Sequence, residues 1–100
     1  MKAGTLELDL LLGDVHSLKE KRSIVRPVLA ELRRRFAVSA AEVGDTDLHR
    51  RALLGVAVVS GSARQCEEVL RACEDAVTDH PELVVLSARL RVFDDRDADD

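Results

Sequence analysis

Three kinds of side chain in this 100-residue sequence could do chemistry: histidines, cysteines and a concentration of cations. His16, His49 and His80 are the only histidines. Three imidazoles could hold zinc or iron if the fold brought them together. No pair has the i, i+3 or i, i+4 spacing that makes a rigid ligand set on a helix. No metal is therefore expected, and the alternative is a network of ion pairs and hydrogen bonds. Cys66 and Cys73 stand seven positions apart. On a helix that separates them by about 10 Å along the axis, too far for a disulfide, and they read as core. No serine or threonine has a base at a suggestive spacing. There is no glycine-rich phosphate loop, no C-x-x-C and no H-E-x-x-H. Neither catalysis nor a cofactor is expected.

The cations are more informative. Residues 17–36 hold seven bases (Lys19, Lys21, Arg22, Arg26, Arg33, Arg34, Arg35) against Glu20 and Glu31, a net charge of +5. On a helical wheel Lys19, Arg22, Arg26 and Arg33 fall within about a quarter of the circumference. A one-sided basic helix is an electrostatic footprint for phosphate, with Arg50 and Arg51 placed to support it from a neighbouring turn. The alternative is a solvated face whose aliphatic stems cover apolar surface. Bases early in a helix oppose its macrodipole, a small penalty that solvation alone leaves unexplained. Lys21 differs, because it projects into the apolar face beside Leu18 and Val25. Either its ammonium snorkels off the end of the core, or it is held against a loop carboxylate: Glu42, Asp45 or Asp47. A lysine with a depressed pKa would need burial away from acids, and the acid-rich turn argues against that.

The whole chain carries fifteen bases and nineteen acids, a net of −4. That balance seems to exclude a nucleic-acid partner until its distribution is considered. Residues 94–100 hold five acids and one base, so residues 1–93 are neutral. The tail is too polar to pack and is expected to be disordered. It could fold back electrostatically onto the basic stripe. With 46% hydrophobic residues, residues 1–93 can build one domain with its own core. Two phenylalanines are the only aromatics, which nearly excludes stacking platforms. The longest apolar run is far short of a membrane span. The N-terminus alternates apolar and charged residues, unlike a signal peptide. A soluble cytoplasmic protein is the expectation.

The elements that position these groups follow from periodicity. Residues 5–12 alternate, with Leu6, Leu8, Leu10 and Leu12 on one side, as a half-buried strand does. Ser17-Leu18-Lys19-Glu20 fits a capping box. The helix it opens runs to about Phe36, with Leu18, Val25, Val28, Leu29, Leu32 and Phe36 on one face and a kink expected at Pro27. Residues 37–43 read as a weaker edge strand, residues 44–47 as a turn and residues 52–59 as a strong strand with Leu54, Val56 and Val58 inward. A second capping box at Ser62 opens a helix with Cys66, Val69, Leu70, Cys73 and Val77 on one face, which Asp79-His80-Pro81 stops. The last strand, residues 83–93, is expected to turn Val84, Leu86, Ala88, Leu90 and Val92 inward and Val85, Ser87, Arg89 and Arg91 outward.

The order β-α-β-β-α-β predicts an α+β ferredoxin-like sandwich: two helices on one face of a four-stranded antiparallel sheet of order 4-1-3-2. The three histidine-bearing loops then share one end. The open sheet face carries Thr5, Glu7, Asp9, Leu11, Leu53, Gly55, Ala57 and Val59, with the acids able to pair with Arg89 and Arg91. RNA-binding domains of this topology stack bases on sheet aromatics, and these positions are aliphatic or charged, so that mode is rejected. A flat patch of small residues suits protein contact, including self-association as a homodimer. The alternative is a modestly apolar surface with no partner.

The string His16-Ser-Leu-Lys-Glu-Lys-Arg22, after a strand of alternating leucines, resembles the signature of the YlxP-like family of small bacterial proteins. Ala41-Glu-Val-Gly44 and Ala52-Leu-Leu-Gly-Val-Ala-Val-Val-Ser60 resemble the same family in the same order, and the likeness spans about residues 4–93. It implies a ferredoxin-like fold and no established activity, hence no catalytic residues to carry over. Genes of the family often lie among those for transcription antitermination, translation initiation factor two and ribosome-binding factor A. That association implies a role near RNA or the ribosome. Pro27, His49 at a position where relatives often carry an aromatic residue, and the aspartate-rich tail depart from the family pattern.

Overall fold

Leu6, Leu8, Leu10 and Leu12 have no exposed surface, and the strand that carries them organises the sheet. The structure, a computed structural model, describes residues 1–44 and 47–94. Its elements run β1 (Lys2–Leu12), α1 (Leu18–Arg35), β2 (Ser39–Glu42), β3 (Arg51–Ser60), α2 (Ala63–Thr78) and β4 (Leu83–Asp94). The sheet order is β2-β3-β1-β4, antiparallel throughout, which is the expected ferredoxin-like arrangement. α1 packs on β2, while α2 packs across β1, β3 and β4. The core lies between helices and sheet, with Leu54, Val56 and Val58 of β3 meeting Val25, Leu29 and Leu32 of α1 and Cys66, Leu70, Cys73 and Val77 of α2 in one buried cluster.

Both helices start where their caps predict. The Ser17 hydroxyl accepts from the Glu20 N–H at 3.1 Å, and the Ser62 hydroxyl accepts from the Gln65 N–H at 3.1 Å. Such a cap contributes about 1 kcal/mol. The reciprocal bonds fall one or two residues upstream of the boxes. Glu20 Oε2 accepts from the His16 N–H at 3.0 Å. Ser60 donates its hydroxyl to Gln65 Oε1 at 2.8 Å and accepts from the Ser62 N–H at 3.2 Å. α1 passes through Pro27 without a break, and the proline lies on the exposed side.

β1 begins three residues earlier than alternation suggests, because Ala3 and Gly4 have little strand propensity of their own. Gly4 is needed there for packing: a Cβ would stand 2.8 Å from Leu70 Cδ1 and 3.3 Å from Cys66 Cβ of α2. At its other end the domain also runs further than expected. Asp94, placed by the sequence in the tail, is the last residue of β4 and pairs with Lys2 at 2.8 Å. The rest of the acidic tail, residues 95–100, lies outside the described residues.

One expectation for the last strand is overturned. From Val92 back to Ala88 the pairing follows simple alternation, with Val92, Leu90 and Ala88 opposite Gly4, Leu6 and Leu8. Then Asp9 faces Ser87 while Leu10 faces Val85, so Leu86 is an extra residue in β4. This β-bulge reverses the phase of everything before it. Leu83 and Val85 turn to the core side, opposite Leu12 and Leu10, and Val84 joins Leu11 on the open face. Val84 is 55% exposed and Leu86 47%, against the inward placement read from the sequence. A single charge tells the two phases apart. Val85→Lys should cost about 1–3 kcal/mol and Val84→Lys less than about 0.5 kcal/mol, measured as shifts in urea midpoint; unbroken alternation requires the opposite ranking.

Candidate nucleic-acid interface

The α1 stripe is assembled by one helix face. Lys19, Arg22, Arg26 and Arg33 are all exposed and lie within about 60° of the circumference at 100° per residue. Glu31 and Arg35 point the other way, bordering the groove between α1 and α2 together with Phe36, Ala72, Asp75 and Ala76. The stripe therefore faces away from α2, on the outer flank of the helical layer. Lys19, Arg22 and Arg26 flank one shallow depression over Ser23 and Pro27. Arg33 donates its Nε–H to the Leu29 carbonyl at 3.2 Å, leaving its terminal amino groups outward.

The two helices treat their cations differently. In α2, Arg64 pairs with Glu68 at 3.0 Å, and Arg71 lies between Glu67 at 3.7 Å and Glu74 at 3.6 Å. In α1, Arg35 pairs with Glu31 at 3.4 Å. No carboxylate among the described residues lies within ion-pair distance of Lys19, Arg22, Arg26, Arg33 or Arg34. A helix that leaves its cations uncompensated holds a standing positive potential on that flank. The positive N-terminal end of its own dipole adds to it near Lys19 and Arg22.

Arg50 and Arg51 are placed for other work. The Arg50 Nε–H donates to the carbonyls of Leu12 at 3.3 Å and Gly13 at 3.0 Å, tying down the end of β1. Arg51 donates to both carboxylate oxygens of Asp9, at 2.8 and 2.7 Å, across the open sheet face. The structure does not bring either into the α1 stripe. Asp9 is thus engaged by β3 and not by β4, while Glu7 stands opposite Arg89 in register.

Lys21 is resolved in favour of the carboxylate. It is 2% exposed, its Nζ donates to the Leu48 carbonyl at 2.8 Å, and Glu42 Oε2 lies 2.8 Å away. Asp45, one of the partners considered, lies outside the described residues. This contact pins the first turn of α1 to the end of β2 and to the chain that follows it.

The histidines do share one end of the molecule. There the Gly13 N–H donates to the Glu82 carbonyl at 3.1 Å and the Leu12 N–H to the Arg50 carbonyl at 2.8 Å, which draws the three loops together. His16 Nε2 lies 2.7 Å from Asp14, and His80 Nδ1 accepts from the Glu82 N–H at 3.2 Å. His16 and His80 are thus occupied locally, and the described residues contain no cluster of three or more metal-ligating side chains. Cys66 and Cys73 are buried free thiols. Burial pushes the Cys73 thiol from its ordinary 9.0 up to about 11, partly opposed by the charge of Arg35, so it is protonated and a poor nucleophile at neutral pH. No helix among the described residues is long and apolar enough to cross a membrane.

The open sheet face was partly legible. Thr5, Glu7, Ala41, Val43, Gly55 and Ala57 line a shallow trough on it, floored by small residues. Val43 was missed as a member. It folds over Gly55, where a Cβ would stand 2.9 Å from Val43 Cγ1. Its position past the end of a four-residue strand carried no periodic signal.

The buried pair is the feature here that stability measurements reach most directly. Lys21→Ala leaves a largely buried Glu42 carboxylate, 17% exposed, without its cation and should cost about 3–5 kcal/mol. Lys21→Met combined with Glu42→Leu should recover most of that loss in chemical denaturation. Simple additivity of the two single variants would contradict the pairing.

Comparison with known proteins places the chain. It is 34% identical over 80 residues to the Bacillus subtilis (strain 168) protein called "Uncharacterized protein YlxP", an alignment that covers 80% of this chain and 87% of that one. The family model described as "Protein of unknown function (DUF503)" matches residues 3–90, from the second residue of β1 to the eighth of β4. On both grounds the chain belongs to the DUF503 family.

Proposed function

We propose that this protein is an accessory factor without catalytic activity that associates with RNA or the ribosome through α1. One observation carries the reading: a domain of zero net charge over residues 1–93 leaves the cations of one exposed helix flank without carboxylate partners among the described residues. Surface ion pairs stabilise folds only slightly, but a segregated patch of free cations strongly favours polyanions. Lys19, Arg22, Arg26 and Arg33 contact phosphates in this account. Arg50 and Arg51, proposed from sequence as supporting contacts, also hold the end of β1 and Asp9. The gene association implied by the family resemblance points the same way. Filter binding to ribosomal subunits across a salt series tests it. Arg22→Glu with Arg26→Glu should weaken binding at least tenfold at low salt, since each lost phosphate contact removes a counterion-release term of slope about −0.9. Unchanged affinity would overturn the proposal.

A second reading, self-association through the sheet, is favoured by where exposed apolar side chains sit. Val43, Val59, Val84 and Phe93 are each more than 40% exposed, and register or packing places all four on the open face. A homodimer formed there should appear in light scattering as twice the monomer mass of 11.0 kDa. Ala57→Glu, at the centre of the trough, should return it to monomer. A monomer across the accessible concentration range removes this reading.

A further inference from the structure

We infer that the ligand of the α1 stripe is the double-helical form of RNA, bound by its backbone alone, and not single-stranded RNA. This rests on the phosphate-binding reading above and narrows its ligand class.

The first ground is shape. Lys19 and Arg33 are fourteen positions apart on one continuous helix that runs through Pro27, so the stripe spans about 21 Å at 1.5 Å per residue. Its cations are held in a fixed row because the helix beneath them is fixed. Val25, Val28, Leu29 and Leu32 are buried on the adjoining face, and Lys21 locks the first turn to β2 and the Leu48 carbonyl. A rigid row gains most from a partner whose phosphates are also in a rigid array. A single strand must be ordered to match it and loses conformational freedom in doing so.

The second ground is the chemistry that is missing from the flank. Binding of single strands depends on aromatic rings on which successive bases stack. The chain has two phenylalanines, no tyrosine or tryptophan, and three histidines. Phe36 is half-buried at the far side of α1, and the Arg35 guanidinium covers its ring at 5.2 Å from the centroid. Phe93 is on the open sheet face, near the end of β4. His16, the ring next to the start of α1, is held by Asp14 at 2.7 Å. Asn, Gln, Ser and Thr, which read base edges, are also sparse on it: Ser23 is the one such residue beside Arg22 and Arg26, and its hydroxyl donates to the Glu20 carbonyl at 2.6 Å. What remains on the surface is positive charge at fixed spacing. Such a surface reads the shape and charge of a duplex, whose bases are already stacked on one another, and is indifferent to sequence.

Competition binding with the full chain tests the inference, using an RNA hairpin and an oligouridylate with the same number of phosphates. The hairpin should bind at least about tenfold more tightly, because the oligouridylate lacks its expected stacking contacts. With four phosphate contacts, hairpin affinity should fall about 150-fold between ~50 and ~200 mM salt. Arg22→Gln with Arg26→Gln, both exposed and outside the core, should reduce that salt dependence by about half. Arg64→Gln with Arg71→Gln on α2 should leave it unchanged. Equal affinity for the two RNAs overturns the duplex inference while leaving the phosphate reading intact. Equal loss in the α1 and α2 variants overturns it too, by showing diffuse attraction in place of a row. Failure to bind either RNA removes the phosphate reading and this inference with it.

Discussion

The position of α1 depends on a buried ammonium. α1 is the outer helix of the layer and rests on β2, a strand of only four residues at the sheet edge. Apolar packing through Val25, Val28, Leu29 and Leu32 supplies most of its attachment and sets which face turns inward, but that contact has no preferred distance or direction of its own. Lys21 supplies both. Its ammonium is out of water and must meet oxygen atoms, which Glu42 and the Leu48 carbonyl provide at 2.8 Å each. Turning α1 by one residue's rotation would draw that charge away from both. The same constraint therefore holds the face on which Lys19, Arg22, Arg26 and Arg33 emerge. A short edge strand and a distant loop are held by the contact that aims the stripe.

The electrostatics follow from how charge is arranged, more than from its sum. α2 carries acids beside its arginines at i+3 and i+4, and its field is largely cancelled at the surface. α1 has seven bases and two acids over residues 17–36, and its two acids lie off the stripe: Glu20 caps the helix start and Glu31 pairs with Arg35. On the sheet, Arg51 and Asp9 neutralise one another. The domain thus concentrates uncompensated positive charge on the flank of α1 that faces away from α2. The net charge of −4 is produced by residues 94–100, and Asp94 itself is engaged with Lys2.

Much of this was legible from residue types, and the exceptions share a cause. The β1 leucines, both serine caps and the element order all follow from local periodicity, and the topology follows from the order. The bulge in β4 did not, because Leu83-Val84-Val85-Leu86 is apolar at every position and either phase satisfies it. Only pairing with β1 decides between them, and that is long-range. The roles of Arg50 and Arg51 were likewise hidden: which adjacent arginine meets Asp9 and which meets the end of β1 depends on the β1–β3 register, where Arg51 stands opposite Leu11. Val15, buried at 4% exposure, sits in a connection with no period to reveal it. The stripe was readable because a helix converts sequence spacing directly into a face. Lys21 was readable in part, since its spacing placed it inward while its partner required the fold.

Amide chemical-shift mapping of the labelled protein during titration with an RNA hairpin tests the central claim most directly. The account predicts perturbations along the outer flank of α1, centred on Lys19, Arg22, Arg26 and Arg33, that fade as salt is raised. Perturbations confined to the open sheet face, or none at RNA concentrations that saturate a phosphate-dependent binder, would contradict it.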